Sequence, residues 1–197
     1  YKSQWKPEEA TVHILPHWNW SATTGKVPVM VYTNGDCAEL FLNGKSLGKK
    51  CKKPTSQKST ERFRLVWDDV TYSPGELKAV AYKEGATLGT ATRRTAGDAS
   101  TLKLTAVRST IKGDGLDLSY MTLEAFDKAG NPHPLSDAAI DISIAGPAEI
   151  KGIGNGDPRS LDPFHGNKVK LFYGKALIIV AGTGPGKAKI TVSGPGL

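Results

Sequence analysis

Glu39-Leu-Phe-Leu-Asn-Gly-Lys-Ser-Leu-Gly48 spells a β-hairpin. Leu40, Leu42 and Leu47 can share one face, and Asn43-Gly44 stands between the two arms. Both turn residues tolerate the positive φ that a two-residue type I′ turn demands. A hairpin this plain sets the class of its surroundings as β.

Working outward, the same grammar repeats. Val12 to Leu15 is strand-like, and Val27, Val29 and Val31 alternate with Pro28, Met30 and Tyr32. Both faces of that second stretch are apolar, as in a central strand, with Pro28 near its start. After a polar loop from Lys52 to Ser59, Glu61 to Trp67 alternates, with Phe63, Leu65 and Trp67 on one side. Tyr72-Ser-Pro-Gly75 is a turn, and Leu77 to Tyr82 pairs with Thr87 to Thr92 across Glu84-Gly85. This is the strand density of an immunoglobulin-like sandwich, about seven strands in ~90 residues. The small residues Gly97-Asp-Ala-Ser100 mark a junction, after which the pattern restarts. Leu102, Leu104 and Ala106 alternate; Met121, Leu123 and Ala125 line one face of a long strand and Tyr120, Thr122 and Glu124 the other. Asp127-Lys-Ala-Gly-Asn-Pro132 ends that strand in a turn, and Ile140, Ile142 and Ile144 form the next. A glycine-rich stretch from Gly152 to Pro158 and a loop to Asn167 precede the closing strands, Ala176 to Ala181 and Ala188 to Val192. The expectation is all-β: two tandem immunoglobulin-like β-sandwich domains over residues 11–97 and 98–197, with residues 1–10 as a lead-in and no amphipathic helix.

The totals agree with that class. The chain of 197 residues is 39% hydrophobic, enough for real cores, and its 22 glycines and 12 prolines are scattered as turns require. Its longest apolar run, Ala176 to Ala181, is strand-sized, so no membrane insertion is expected. The net charge of +7 comes largely from Lys45, Lys49, Lys50, Lys52, Lys53 and Lys58. Without aromatic residues interleaved among them, these read as a solvated edge that resists aggregation rather than a nucleic-acid surface. A regular two-residue hairpin sets Cys37 opposite Lys50 and leaves Cys51 on the other face. Only a bulge would join the sulfurs, so the reading favours unbonded thiols over a disulfide.

Catalytic patterns fail on context. Gly44-Lys-Ser-Leu-Gly48 matches the serine-hydrolase elbow, but that elbow leads into a helix, and Lys49-Lys-Cys-Lys-Lys-Pro54 is none. His13 and His17 have helical zinc spacing, yet Pro16 lies between them, and along a strand they stand ~13 Å apart. His133 and His165 lie in loops without nearby thiolates. Ala181 stands where a Walker glycine is needed, and Gly152-Ile-Gly-Asn-Gly156 lacks a third fingerprint glycine. The adjacent carboxylates Glu8-Glu9 and Asp68-Asp69 would point to opposite faces of a strand, unlike a pair that shares one pocket. No catalytic residue, metal or cofactor is expected.

Two segments are candidates for sugar binding. Trp18 and Trp20 fall on the same side of an extended segment, either as core or as a platform for sugar rings. Asn155-Gly-Asp-Pro158, with Asp162, offers side-chain oxygens to a glycan or calcium; the competing reading, and the favoured one, is an Asx turn. The candidate residues are therefore Trp18, Trp20, Asn155 and Asp157.

Several stretches, taken in order, resemble the C-terminal region of glycoside hydrolase family 2 enzymes. They are His13-Ile-Leu-Pro-His-Trp-Asn-Trp20, Val31-Tyr-Thr-Asn34, Glu39 to Gly48, Pro74-Gly-Glu-Leu-Lys-Ala-Val-Ala-Tyr82 and Thr95-Ala-Gly97. In the second half, Asp117-Leu-Ser-Tyr120, Asp127-Lys-Ala-Gly-Asn131, Gly154-Asn-Gly-Asp-Pro158 and Gly194-Pro-Gly-Leu197 continue the likeness. It is greatest to β-galactosidases of Bacteroides-type bacteria. The resemblance implies a parent enzyme whose jelly-roll, immunoglobulin-like domain and (β/α)8 barrel, with its two catalytic glutamates, lie upstream of Tyr1. Tyr1-Lys-Ser-Gln-Trp5 then looks like the end of the barrel's last helix, and no catalytic residue carries over. The implied role is bracing that barrel, in a periplasmic or extracellular setting. The alternatives are a carbohydrate-binding module, or immunoglobulin-like repeats of a surface adhesin, for which Ala125 to Pro132 would be typical.

Overall fold

In the computed structural model, which describes residues 1–21 and 23–197, the chain divides into two compact units, residues 1–95 and 96–197. Each is a β-sandwich with its own core.

The first unit opens on a single helical turn, α1 (Lys2–Trp5), followed by β1 (Val12–Leu15), β2 (Lys26–Thr33), β3 (Cys37–Leu42) and β4 (Lys45–Cys51). A second helical turn, α2 (Ser59–Phe63), leads to β5 (Leu65–Thr71), β6 (Glu76–Lys83) and β7 (Ala86–Arg94). The strands form one sheet ordered β1-β2-β5 and a second ordered β4-β3-β6-β7. The sheets close on Ile14, Val29, Val31, Leu40, Leu65 and Leu77, all buried. Leu42 and Leu47 pack against that core beside Leu40, so the three leucines of the hairpin do share its inner face.

The hairpin turn has Asn43 and Gly44 at φ 50° and 79°, and Glu84-Gly85 repeats it at 51° and 84°. The register of β3 and β4 then departs from the expected one. Phe41 faces Ser46, but Glu39 faces Lys49, so β4 carries an extra residue opposite Leu40. Gly48, at φ +94°, gives the bulge the conformation that only glycine adopts cheaply. This slip sets Cys37 opposite Cys51, and the two form a disulfide. The expectation of unbonded thiols is thereby corrected. A second bulge lies where β2 pairs with β5 between Val27 and Val29. Pro28, which has no N–H for the ladder, sits there exposed, and Asp68 and Asp69 both face solvent instead of opposite sides.

Two further expectations give way in this unit. Glu61 to Phe63 is helical rather than strand, and Phe63 is 45% exposed instead of joining the core. Local polar bonds explain it: Ser56 Oγ donates to Glu61, and Arg62 donates to the Ser56 carbonyl. They close the turn before the strand can begin.

The second unit has β8 (Ala99–Ala106), β9 (Leu118–Asp127), β10 (Ala139–Ala145), β11 (Ala148–Gly154), β12 (Lys168–Lys170), β13 (Lys175–Gly182) and β14 (Lys189–Ser193). Its sheets are ordered β11-β13-β9-β8 and β12-β10-β14. Met121, Leu123 and Ala125 turn inward from β9, as alternation predicts, to meet Ile140, Ile142 and Ile178. Strands β11 and β12 are additions to the sequence reading. Gly152 and Gly154 break the apolar alternation there, and the ladder of β11 slips between Ile150 and Gly152. The Phe164 ring lies over Gly154, at ordinary contact distance from where a Cβ would stand.

Candidate functional site

Trp18 lies in the segment that leaves β1. Its ring is 1% exposed and packs edge-on against Tyr72, 5.3 Å between centroids. Its Nε1–H donates to the Ser73 carbonyl at 3.0 Å. A ring enclosed on both faces offers no platform to a sugar. Trp20 is partly buried against the core, its ring stacked on His17 at 4.6 Å and its Nε1–H given to the His17 carbonyl. Burial lowers the pKa of the His17 imidazole and, together with the Arg93 charge, that of His13. His13 faces Arg93 at 3.3 Å, so the two histidines have separate partners.

Around Trp18 a polar knot gathers residues far apart in sequence. Thr95 Oγ1–H donates to the Trp18 carbonyl at 2.6 Å and accepts the Gly75 N–H at 3.1 Å. The Asn43 carboxamide, at the hairpin tip, accepts from the Glu76 N–H and donates to the Pro74 carbonyl. Gly75 has φ +131°, and a Cβ there would overlap the Asn43 side chain. The hairpin of β3 and β4, the 72–75 turn, the Trp18 segment and the end of β7 thus lock at one end of the first sandwich. Sequence reading names all four segments but cannot join them, since these bonds span 20 to 77 residues.

In the second unit Asn155 and Asp157 behave as turn residues. Asn155 Oδ1 accepts the Asp157 N–H at 3.0 Å, and its Nδ2 donates to the Lys170 carbonyl at 3.1 Å. The Asp157 carboxylate takes the Arg159 N–H and both prongs of its guanidinium. That pairing lowers the pKa of Asp157 and raises that of Arg159. The loop borders a cavity of about 250 Å³ with Phe164 and Lys168 on its wall. Asp127 is the most heavily bonded carboxylate: it accepts the N–H groups of Gly97, Ala129 and Asn131 and the Asn131 side-chain amide. Those bonds, led by the two from Asn131, hold its pKa at about 2.

Ser46 donates to Glu39 at 2.5 Å and accepts the Gly48 N–H, which makes it a support of the bulge. The lysines fold back on their own sandwich. Lys49 lies 4.1 Å over the Tyr82 ring, Lys50 donates to the Val66 carbonyl at 2.7 Å, and Lys52 reaches the Thr33 carbonyl. Burial lowers the pKa of Lys52. Among the described residues, no group of three or more His, Cys, Asp or Glu side chains is placed to hold a metal ion.

Comparison with known proteins adds what the geometry leaves open. Residues 102–197 match the family model described as glycoside hydrolase family 2 C-terminal domain 5, and residues 24–89 match a family described only as a domain of unknown function. The whole chain is 35% identical to part of a β-galactosidase of Bacteroides ovatus. Residues 102–197 are a C-terminal domain of glycoside hydrolase family 2. The chain spans 22% of the length of that β-galactosidase and, at 31% identity over 81% of this chain, 16% of a β-glucuronidase of Formosa agariphila. A β-glycosidase structure from Bacteroides vulgatus matches all of this chain with a TM-score of 0.88 at 29% identity, over 24% of its own length. The chain therefore spans a minor part of each enzyme it resembles.

Proposed function

We propose that this chain is the non-catalytic C-terminal region of a family 2 β-galactosidase, and that it braces the catalytic barrel carried by the same polypeptide. The observation that carries this reading is the match of the entire chain to about a fifth of the Bacteroides ovatus β-galactosidase. The site geometry supports it. The indole N–H groups of Trp18 and Trp20 and the polar atoms of Asn155 and Asp157 are engaged in bonds within the sandwiches. Paired carboxylates for glycoside hydrolysis belong, on this reading, to the upstream barrel. The Cys37–Cys51 disulfide supports a periplasmic or extracellular setting, where such bonds persist. The test is hydrolysis of chromogenic β-galactoside and β-glucuronide by the parent enzyme and by residues 1–197 alone. Galactoside hydrolysis by the parent, with the shorter chain at background, is the expected result. Turnover by residues 1–197 would remove the non-catalytic assignment, and a parent active only on glucuronide would remove the substrate.

A further inference from the structure

The outer face of the sheet β1-β2-β5 carries an apolar row. Leu15, Met30 and Val66 stand in register across the three strands and point away from the core that Val29, Val31 and Leu65 fill. Leu15 is 42% exposed. The next cross-strand pair is Tyr32 and His13. At one end of the row lies α1, where the rings of Tyr1 and Trp5 pack 4.7 Å apart and are 89% and 74% exposed, while Ser3 of the same turn is buried. A cleft of about 450 Å³ opens there between α1 and β1, lined by Tyr1, Val12, Leu15 and Tyr32 among others.

The aromatic pair is held rather than frayed. Asn34, beyond the end of β2, donates its carboxamide to the carbonyls of Pro7 and Glu9 and accepts the Thr11 N–H. Lys2 and Lys6 both pair with Glu9. At the other end, a second cleft begins at Pro28, Met30 and Val66; Lys50, Lys53, Lys58 and Arg64 on its rim outnumber Glu61 and Asp68, and Lys53 pairs with Glu61 at 3.5 Å. The face is thus apolar along its middle and net basic at one margin.

We propose that this face is the seat of the catalytic part of the parent polypeptide, whose matching surface is apolar at its centre and acidic along the margin that meets Lys58 and Arg64. The proposal rests on the brace reading above and names the surface that does the bracing. A row of aliphatic side chains offers sugar hydroxyls no hydrogen-bond partners, which argues against a glycan. A neighbour on the same polypeptide arrives at high effective concentration, and the match of this chain to 22% of the Bacteroides ovatus β-galactosidase is what argues for such a neighbour.

Met30 is the reporter. Peroxide oxidation of Met30 to its sulfoxide is followed by peptide mass spectrometry in monomeric parent and in residues 1–197 alone, with the inward-facing Met121 as internal reference. The expected result is oxidation about tenfold slower in the parent, as in a dry interface core. Equal rates overturn the proposal, and so does protection seen only in a dimer, which would make a second copy the occupant. Met30→Glu should leave the Tm of residues 1–197 unchanged and lower that of the parent; a parent Tm that does not move also counts against docking. The hydrolysis assay runs in parallel. An inactive parent with Met30 protected keeps the surface and removes the functional reading, and an active parent with equal oxidation rates does the reverse.

Discussion

The two sandwiches solve the same problem, fixing loops to sheets, with different chemistry. In the first unit the ties are long-range and mostly uncharged: the Trp18 indole, the Asn43 carboxamide, the Thr95 hydroxyl and the Cys37–Cys51 bond. In the second unit they are short-range and anionic. Asp127 gathers N–H groups within four residues of itself and one from Gly97, Asp114 accepts those of Leu116 and Asp117, and Asp157 holds Arg159. The difference teaches where each unit is vulnerable. The first should respond to core truncation and reduction, the second to acid.

The largest effect expected is from Trp18→Ala, which removes the main aromatic of the first core and the bond to Ser73. It should cost the first unit about 4 kcal/mol, read as a lowered first transition in calorimetry, with the second transition in place. Loss of both transitions together would mean that the units are not independent. Next is reduction of the disulfide, which closes a short loop and should cost roughly 3 kcal/mol in the first unit alone. Chemical denaturation with and without reductant measures it.

Acid sharpens the comparison from the other side. The Asp127 carboxylate is ionised in the folded state down to about pH 2, below its ordinary value of 3.8. A depressed carboxylate pKa contributes stability that is full above the ordinary value and lost as pH falls through the folded one. The second unit should therefore weaken between about pH 4 and pH 2. Asp127→Asn should flatten that dependence, which thermal melts across the range would show. The smallest effect is Asn155→Ala, worth under about 1 kcal/mol because only loop bonds are lost. A larger loss would give the 155–157 turn a weight that this account does not.

The sequence makes these regions unequally legible. The Asn43-Gly44 turn and the alternation of Val27, Val29 and Val31 are read directly, because each signal is local and periodic. The bulge at Gly48 is not, since Leu47-Gly48 continues the hairpin pattern; the glycine is its one sign, and the disulfide depends on it. Phe63 mimics a strand residue by spacing while Ser56 and Glu61 close a helical turn beneath it. Gly152 hides β11 by removing the side chain that alternation needs. Among the candidate residues, the Asx role of Asn155 and Asp157 is legible from composition, whereas Trp18 requires knowing that Ser73 and Thr95 come to it from 55 and 77 residues away.

The central claim is that these aromatic and polar groups hold the sandwiches together and do not bind glycans. Affinity electrophoresis of residues 1–197 through galactan, xylan and pectin gels tests it most directly. The account predicts unchanged mobility in all three. Retardation in any of them, abolished by Trp20→Ala or Asn155→Ala, would contradict it.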